Sequence, residues 1–397
     1  MLRRRLPHRK SSMSMLNKFA GDFVMPNPGH RRWSFFNFRS AYYMHSAYET
    51  ALHSHRTGDG YADVNWDDLR FSLTPTDYMY SMKYSKDGGF SQGELIRYGN
   101  IELSPSAGVL NYAQGLYEGL KAYRKANGNG FLLFRPELNA QRMQIGADRM
   151  CMPSLAVDQF VHAVKQTVVA NKRWVPPPGK GSLYIRPLLF GSGPILGLAP
   201  APEYTFLIYT SPVGNYFKEG LAPINLIVAE LTHRAAPGGA GCVKTIANYA
   251  PVLKAQTQAK EKGFTDVLFL DSVKNKYLEE ASSCNIFILK DNVISTPITN
   301  GTILEGVTRR SVIEIARELG YQVEERLVSV DDLAVADEVF CTGTAVVVAP
   351  VNTITYNDQR YTYTCGEETV TNTIYKSLTA IQMGLVEDRK GWTVDID

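Results

Sequence analysis

Residues 237–251 read PGGAGCVKTIANYAP, and the role given to Lys244 in this stretch decides what the chain folds into. Two nucleotide readings are open to a lysine and a threonine that follow glycines. A phosphate-binding loop needs Gly-x-x-x-x-Gly-Lys-Ser/Thr. Here Val243 precedes the lysine, so the glycine is missing where the backbone must turn. A dinucleotide fingerprint fails as well, because Gly239 and Gly241 have no third glycine at the required distance. What remains is a lysine leaving a glycine-rich turn, just ahead of a tyrosine and a proline-started helix. Cys242, Val243 and Ile246 flank it. An amine partly withdrawn from water has a lowered pKa and becomes a better nucleophile for Schiff-base formation. The ordinary alternative, a solvated surface charge, is the state of most lysines.

Three other stretches weigh against that alternative. In NGTILEGVTRRS, Gly306 marks a loop-to-helix entry, where free backbone N–H groups and the helix dipole make an anion site; a plain helix cap reads the same way. In YLEEASSCNIFIL, Glu279 and Glu280 stand at the mouth of an apolar strand. A carboxylate there is either a surface charge or the partner of a protonated ring nitrogen. In FCTGTAVVVAP, Thr342, Gly343 and Thr344 interrupt a buried strand and offer hydroxyls with close backbone approach. A Schiff-base lysine, an acid for a pyridinium and an anion cradle are coherent with pyridoxal 5′-phosphate, although spacing alone does not establish it.

The chain as a whole suits two domains of ordinary size. Its 397 residues are 44 % hydrophobic and 20 % charged, the balance of a globular protein that can bury a core in each domain. A net charge of +3 gives no argument for nucleic acid, and no apolar run reaches the roughly 18 residues of a membrane span. The five cysteines (Cys151, Cys242, Cys284, Cys341, Cys365) include no CxxC pair, which reads as structural thiols in a reducing compartment and no metal site. The first 48 residues differ from the rest: they hold seven arginines and two lysines, with Asp22 as the only acid. Arg-rich, acid-poor leaders of this kind read as organelle transit peptides.

Short aromatic or alternating runs punctuated by Asp-Gly-Gly and Asn-Gly-Asn-Gly signal strands and hairpins between residues 64 and 135. Phe160, Val164 and Val168, with Ala163 and Thr167, carry helical spacing. The pattern loosens at residues 213–223. Beyond it, strands alternate with a helix opened by Asn248 and Pro251 and closed by Gly263, and with a second that pairs Val312/Ala316 and Ile315/Leu319 before stopping at Gly320. The expected division is a leader over 1–59, a small α/β domain over 60–212, an interdomain loop over 213–223 and a large domain over 224–397. The fold class is α/β of the mixed α+β kind, without the regular βαβ alternation of a doubly wound sheet.

The blocks NYAQGLYEGLKAY, LFRPELNAQRM, LYIRPLLFGSG, GGAGCVKTIANYAPVLKAQ, YLEEASSCNIF, GTILEGVTRRS and VFCTGTAVVVAPV together resemble, in order, the branched-chain amino acid aminotransferases, most closely those of plants. These are fold-type IV pyridoxal phosphate enzymes. The resemblance spans roughly residues 60 to 395 and implies a small N-terminal domain joined to a larger one with a barrel-like β core. It implies Lys244 as the Schiff-base lysine and proton shuttle, Glu280 as the partner of the pyridine nitrogen, and Tyr249 at the ring oxygen. Arg142, the backbone of Val307 and Thr308 beside Gly306, and Thr344 are implied to hold the phosphate, with Leu304 packed on the ring. Tyr112, Tyr117, Tyr184 and Tyr216 would build the side-chain pocket, with Ser283 and Ala345 nearby and Arg186 assisting the γ-carboxylate of glutamate or 2-oxoglutarate. Leu196 and Leu198 resemble a loop that closes the neighbouring subunit's pocket, implying a homodimer. Mammalian relatives carry a redox CxxC where this chain has Val346 and Ala349, so that switch is expected to be absent. The implied reaction is reversible amino transfer between leucine, isoleucine or valine and 2-oxoglutarate by ping-pong kinetics, in the mitochondrion, with the plastid as alternative. The rival readings are a D-amino acid aminotransferase or aminodeoxychorismate lyase on the same fold, and a catalytically silent binding protein.

Overall fold

The computed structural model describes residues 60–126, 128, 130–214 and 222–396, all of them within the compact unit Ala51–Asp397. The leader over 1–59, Tyr216 and most of the loop expected at 213–223 lie outside the described residues.

The first half of the chain builds a sheet from β1 (Tyr78–Ser85), β2 (Gly89–Phe90), β3 (Glu94–Arg97), β4 (Gly115–Tyr117), β5 (Leu120–Arg124), β6 (Phe131–Phe134), β7 (Ser182–Gly191) and β8 (Glu203–Val213). Its long axis is the antiparallel pair β7–β8, which runs in unbroken register from Ser182↔Val213 to Gly191↔Tyr204. The two-residue period of a strand sorts β7 by face. Leu183, Ile185 and Leu189 are fully buried in one core, while Tyr184, Arg186 and Leu188 alternate with them and are only half-buried. Helices α1 (Gly108–Tyr112), α2 (Pro136–Arg149) and α3 (Val157–Ala170) accompany this sheet. Phe160, Val164 and Val168 on α3 join Met143 and Ala147 of α2 in a core with Leu116, Leu133 and Phe206. Burying each such large apolar side chain stabilises the fold by about 1.5–3 kcal/mol.

The second half continues with β9 (Ile224–Ala229), β10 (Asp266–Leu270), β11 (Leu278–Ala281), β12 (Asn285–Lys290), β13 (Val293–Pro297), β14 (Gln322–Arg326), β15 (Glu338–Gly343), β16 (Val347–Tyr356) and β17 (Gln359–Thr362). Six of these close on themselves in the order β11–β10–β9–β16–β15–β12, and the seam is the single pair Glu280↔Asn285 between β11 and β12. Closure removes sheet edges and leaves an interior filled by side chains, here Leu226, Leu268, Ile286, Ala349 and Val351. Strands β13, β14 and β17 extend the sheet outside the ring. Helices α4 (Leu253–Glu261), α5 (Val307–Glu318) and α6 (Val370–Gln382) pack around it. The fold is thus mixed α/β, with a closed barrel beside a more open sheet.

Three local features depart from the reading of the sequence. Helix α4 starts at Leu253, after two short 3₁₀ turns that hold Asn248 and Pro251, because a proline without N–H serves as well in a 3₁₀ turn as at a first α position. Helix α6 carried no clear sequence signal: it is rich in β-branched residues of low helix propensity. The barrel supplies what propensity lacks, since the Glu338 carboxylate accepts from Val370 N, Thr371 N and Thr371 Oγ1 at 2.7–3.0 Å. Finally, the chain returns to its first sheet. Strand β18 (Thr393–Ile396) pairs antiparallel with β6.

Candidate active site

Lys244 leaves the glycine turn beside the first sheet. Its carbonyl accepts from Tyr117 N at 3.1 Å, Thr245 bridges Leu116, and Thr245 Oγ1 donates to Gly115 O at 2.9 Å. These backbone ties fix the direction of the side chain. Lys244 Nζ donates to Tyr249 Oη at 3.1 Å and lies 4.6 Å from the centre of the Tyr117 ring. Burial pushes the Tyr249 phenol up, but the Lys244 ammonium, the hydrogen bond with Tyr117 and the Arg234 guanidinium outweigh it and hold the group below its ordinary range. Burial and the facing Tyr249 push the Tyr117 phenol well up. The cation therefore sits among aromatic faces and one phenol oxygen.

Glu280 occupies the barrel seam. Its Oε1 accepts from Arg234 Nη1 at 2.8 Å and from Leu304 N at 2.9 Å, while Oε2 meets no donor among the described residues. Both members of the ion pair are almost completely buried. Burial raises the carboxyl above its ordinary value, and Arg234 and the Leu304 N–H only partly offset this. Asn285, the seam partner, donates from Nδ2 to Leu304 O at 2.9 Å. The loop that carries Leu304 is thereby stitched across the seam from both sides.

That loop ends at Gly306, the N-cap of α5, which no side chain caps. A Cβ at Gly306 would stand 2.2 Å from Asn285 Oδ1, so only glycine lets the helix start this close to the barrel. The first N–H groups of α5, at Val307 and Thr308, are left without helical acceptors. Arg142, on α2, reaches the same place: its Nη1 donates to Glu305 O at 2.8 Å. Its Nε and Nη2 form a bidentate pair with the fully buried Glu118 at 2.9 and 2.7 Å. Thr344, in the three-residue turn between β15 and β16, donates to Gly119 O at 3.2 Å.

On the first sheet, Arg186 lies 4.7 Å from the Tyr117 ring centre and donates to Tyr184 Oη at 3.2 Å. Its Nε is buried without a partner, an open donor suited to an anionic oxygen. Contacts thus run unbroken from Glu280 through Arg234, Tyr249, Lys244, Tyr117 and Arg186 to Tyr184. The turn at Gly343 lies against the Ser283 backbone. Tyr112 lies apart from this chain of contacts. It stands at the exposed end of α1, with its hydroxyl donating to the carbonyl of Leu196. Leu196 and Leu198 are 92 % and 86 % exposed.

The site includes residues that the sequence did not single out. Arg234, the partner of Glu280, lies only ten residues before Lys244. A basic residue ahead of a glycine turn looks like any surface charge until the fold buries it. Glu118 was legible in hindsight as an acid inside the apolar run of β4 and β5.

The donor set fits a phosphorylated pyridine: an amine for a carbonyl, a carboxylate oxygen left open for a ring N–H, and an uncapped helix start beside an arginine and a threonine for a phosphate. Comparison with known proteins points the same way. The model of the amino-transferase class IV family matches residues 115–354. The chloroplastic branched-chain-amino-acid aminotransferase 2 of Arabidopsis thaliana is 68 % identical over 339 residues, covering 85 % of this chain and 87 % of its own length. The mitochondrial branched-chain amino acid aminotransferase 1 of Humulus lupulus is 63 % identical, with 85 % of each chain covered. Among solved structures, the branched-chain amino acid aminotransferase of Escherichia coli superposes with a TM-score of 0.68. It is 28 % identical, over 81 % of this chain and 99 % of that one. A further solved branched-chain amino acid aminotransferase, with pyridoxamine 5′-phosphate, superposes with a TM-score of 0.69 at 28 % identity, over 82 % of this chain and 100 % of that one.

Proposed function

The chain belongs to the amino-transferase class IV family, and from that premise we propose that it is a branched-chain amino acid aminotransferase, exchanging an amino group between leucine, isoleucine or valine and 2-oxoglutarate. The observation that carries this reading is the position of Lys244 Nζ between the Tyr249 hydroxyl and the face of Tyr117, with Arg186 against the same ring. Bound in this site, pyridoxal 5′-phosphate supplies the carbonyl that takes up the amino group and the ring that accepts the electrons of the broken Cα–H bond.

The chain's own residues do the rest. Lys244 Nζ is the base that takes the Cα proton of the amino acid and later gives it up as an acid; the Tyr249 oxygen at 3.1 Å orients it. Glu280, held by Arg234, offers its open oxygen to a ring N–H, and Leu304 packs beside it. Val307 N, Thr308 N, Arg142 and Thr344 hold the phosphate. Tyr117 and Tyr184 present apolar ring faces to a branched side chain, with Ser283 and Ala345 assigned to the same wall. One methylene is worth only about 1–3 kcal/mol in such a pocket, so all three amino acids react. The buried, unpartnered Nε of Arg186 gives the γ-carboxylate of glutamate a place in the same pocket.

Residues 60–212 and 224–397 form the small and large domains of this reading. The assembly is a homodimer in which Leu196 and Leu198 meet the partner's pocket. The compartment is an organelle, as the relatives' names, chloroplastic and mitochondrial, both support. The mitochondrion is the compartment of this proposal, with the plastid as alternative, and imaging residues 1–59 fused to a fluorescent protein decides between them. The test of the activity is an assay with L-isoleucine and 2-oxoglutarate beside a Lys244→Ala variant. The protein is expected to show a visible absorbance band that L-isoleucine bleaches, and the variant no turnover. Turnover of D-alanine in place of the branched L-amino acids would sink the substrate assignment. A protein that stays colourless with added pyridoxal 5′-phosphate would sink the enzyme.

A further inference from the structure

Lys121 is a half-buried basic residue to which the mechanism above gives no part. It stands on β5 directly across from Tyr184 on β7, so both side chains share the site-facing side of the sheet. Its Nζ donates to Ala345 O at 2.9 Å, in the turn that also carries Thr344. It lines a cavity of about 20 Å³ together with Val307, Thr308 and Thr344, three of the groups assigned to the phosphate. That space holds about one water molecule.

The charge of the cradle is otherwise cancelled. Arg142 is its arginine, and the bidentate pair with buried Glu118 neutralises it. A phosphate monoester arrives with nearly two negative charges at neutral pH. Backbone N–H groups and the helix dipole stabilise such a charge but do not balance it. We infer that Lys121 supplies the balancing charge behind the phosphate cradle, acting as a positioning residue that takes up a proton when the phosphorylated cofactor binds. The inference rests on the cofactor reading of the site.

The surroundings of Lys121 are consistent with this. Tyr184 faces it from β7 and Tyr123 flanks it on β5, with Asn139 of α2, Thr308 of α5 and Gln382 of α6 around the cavity. Among the described residues no carboxylate pairs with it, and burial alone pulls its ammonium down to about 7. A dianion nearby favours the charged form. Binding above pH 7 therefore draws in a proton, and affinity falls as the free amine loses its own. The cost is about tenfold per pH unit above that value.

The experiment is calorimetric binding of pyridoxamine 5′-phosphate to the apoenzyme between pH 6 and 8.5, in buffers of differing ionisation heat. Wild type is compared with Lys121→Met and Lys121→Arg. At pH 8 the wild type is expected to take up close to one proton more than either variant. Its affinity advantage over Lys121→Met should shrink about tenfold per pH unit above 7. Lys121→Arg, always charged, should bind within about threefold of wild type at pH 6.5 and overtake it at pH 8.5. Equal pH slopes and equal proton uptake in wild type and Lys121→Met overturn the inference while leaving the cofactor reading intact. Absence of binding by every protein overturns the cofactor reading itself.

Discussion

Glu280 shows how much a single residue depends on where it is held. Burial on a short strand raises its carboxyl, and the Arg234 guanidinium 2.8 Å away offsets part of that rise. Breaking such a pair leaves a buried cation unpartnered, which costs about 3–5 kcal/mol. Glu280→Gln is therefore expected to lower thermal stability and to cut kcat by about a hundredfold or more, the scale on which lost charge stabilisation acts in a closed site. Its neighbour Glu279 provides the control. It is buried too, but alternates to the other face of β11 and leaves Oε2 without a partner. Glu279→Gln should keep kcat within about threefold; an equal loss in both variants would mean that strand packing, and not the charge at Glu280, sets the rate.

Among the elements, the junction between β1 and the end of α3 carries the clearest pH dependence. Asp77 accepts from Arg173 Nε and Nη2 at 2.6 and 2.7 Å and from Trp174 Nε1 at 2.9 Å. Burial alone would raise this carboxyl, but the hydrogen bonds and charge of Arg173, with Trp174, hold it below 3.8. A depressed folded-state pKa gives stability that is present above the unfolded value and lost as pH falls through the folded one. Asp77→Asn should thus cost about 1–3 kcal/mol at pH 7. The gap to wild type should narrow progressively below pH 4, as followed by urea unfolding across that range. A gap that stays constant down to pH 2 would assign the effect to packing. The helices themselves were legible to different degrees. For α3 and α5, apolar residues at i,i+4 spacing marked the buried stripe, except that Leu319, the C-cap of α5, is left exposed, and Gly320 marked the end of α5. For α6, Thr369 is a local N-cap whose hydroxyl accepts from Asn372 N, but its other partner, Glu338, lies more than thirty residues away and leaves no trace in the local sequence.

For the whole molecule, the proposed homodimer is tested at two nearly bare leucines on one loop. Leu196 and Leu198 are separated by Gly197, and both expose more than four-fifths of their surface. Light scattering should give twice the 44.2 kDa of the single chain, and Leu196→Ser with Leu198→Ser should raise KM severalfold. A monomer with unchanged KM would refute the shared pocket. The sequence by itself offered the residues of the proposed chemistry: Lys244 without the glycine of a phosphate loop, Glu280 on an apolar strand, and Gly306 before a helix are all visible in local sequence. It also determined most of the elements, because the periods of two and 3.6 that bury one face are written locally. Only the tertiary structure decided which residues complete the site. Arg234 and Glu118 owe their pairings to burial beside groups distant in the chain. The closed seam at Glu280–Asn285 and the return of β18 to β6 rest on pairings between segments that carry no local sign of each other.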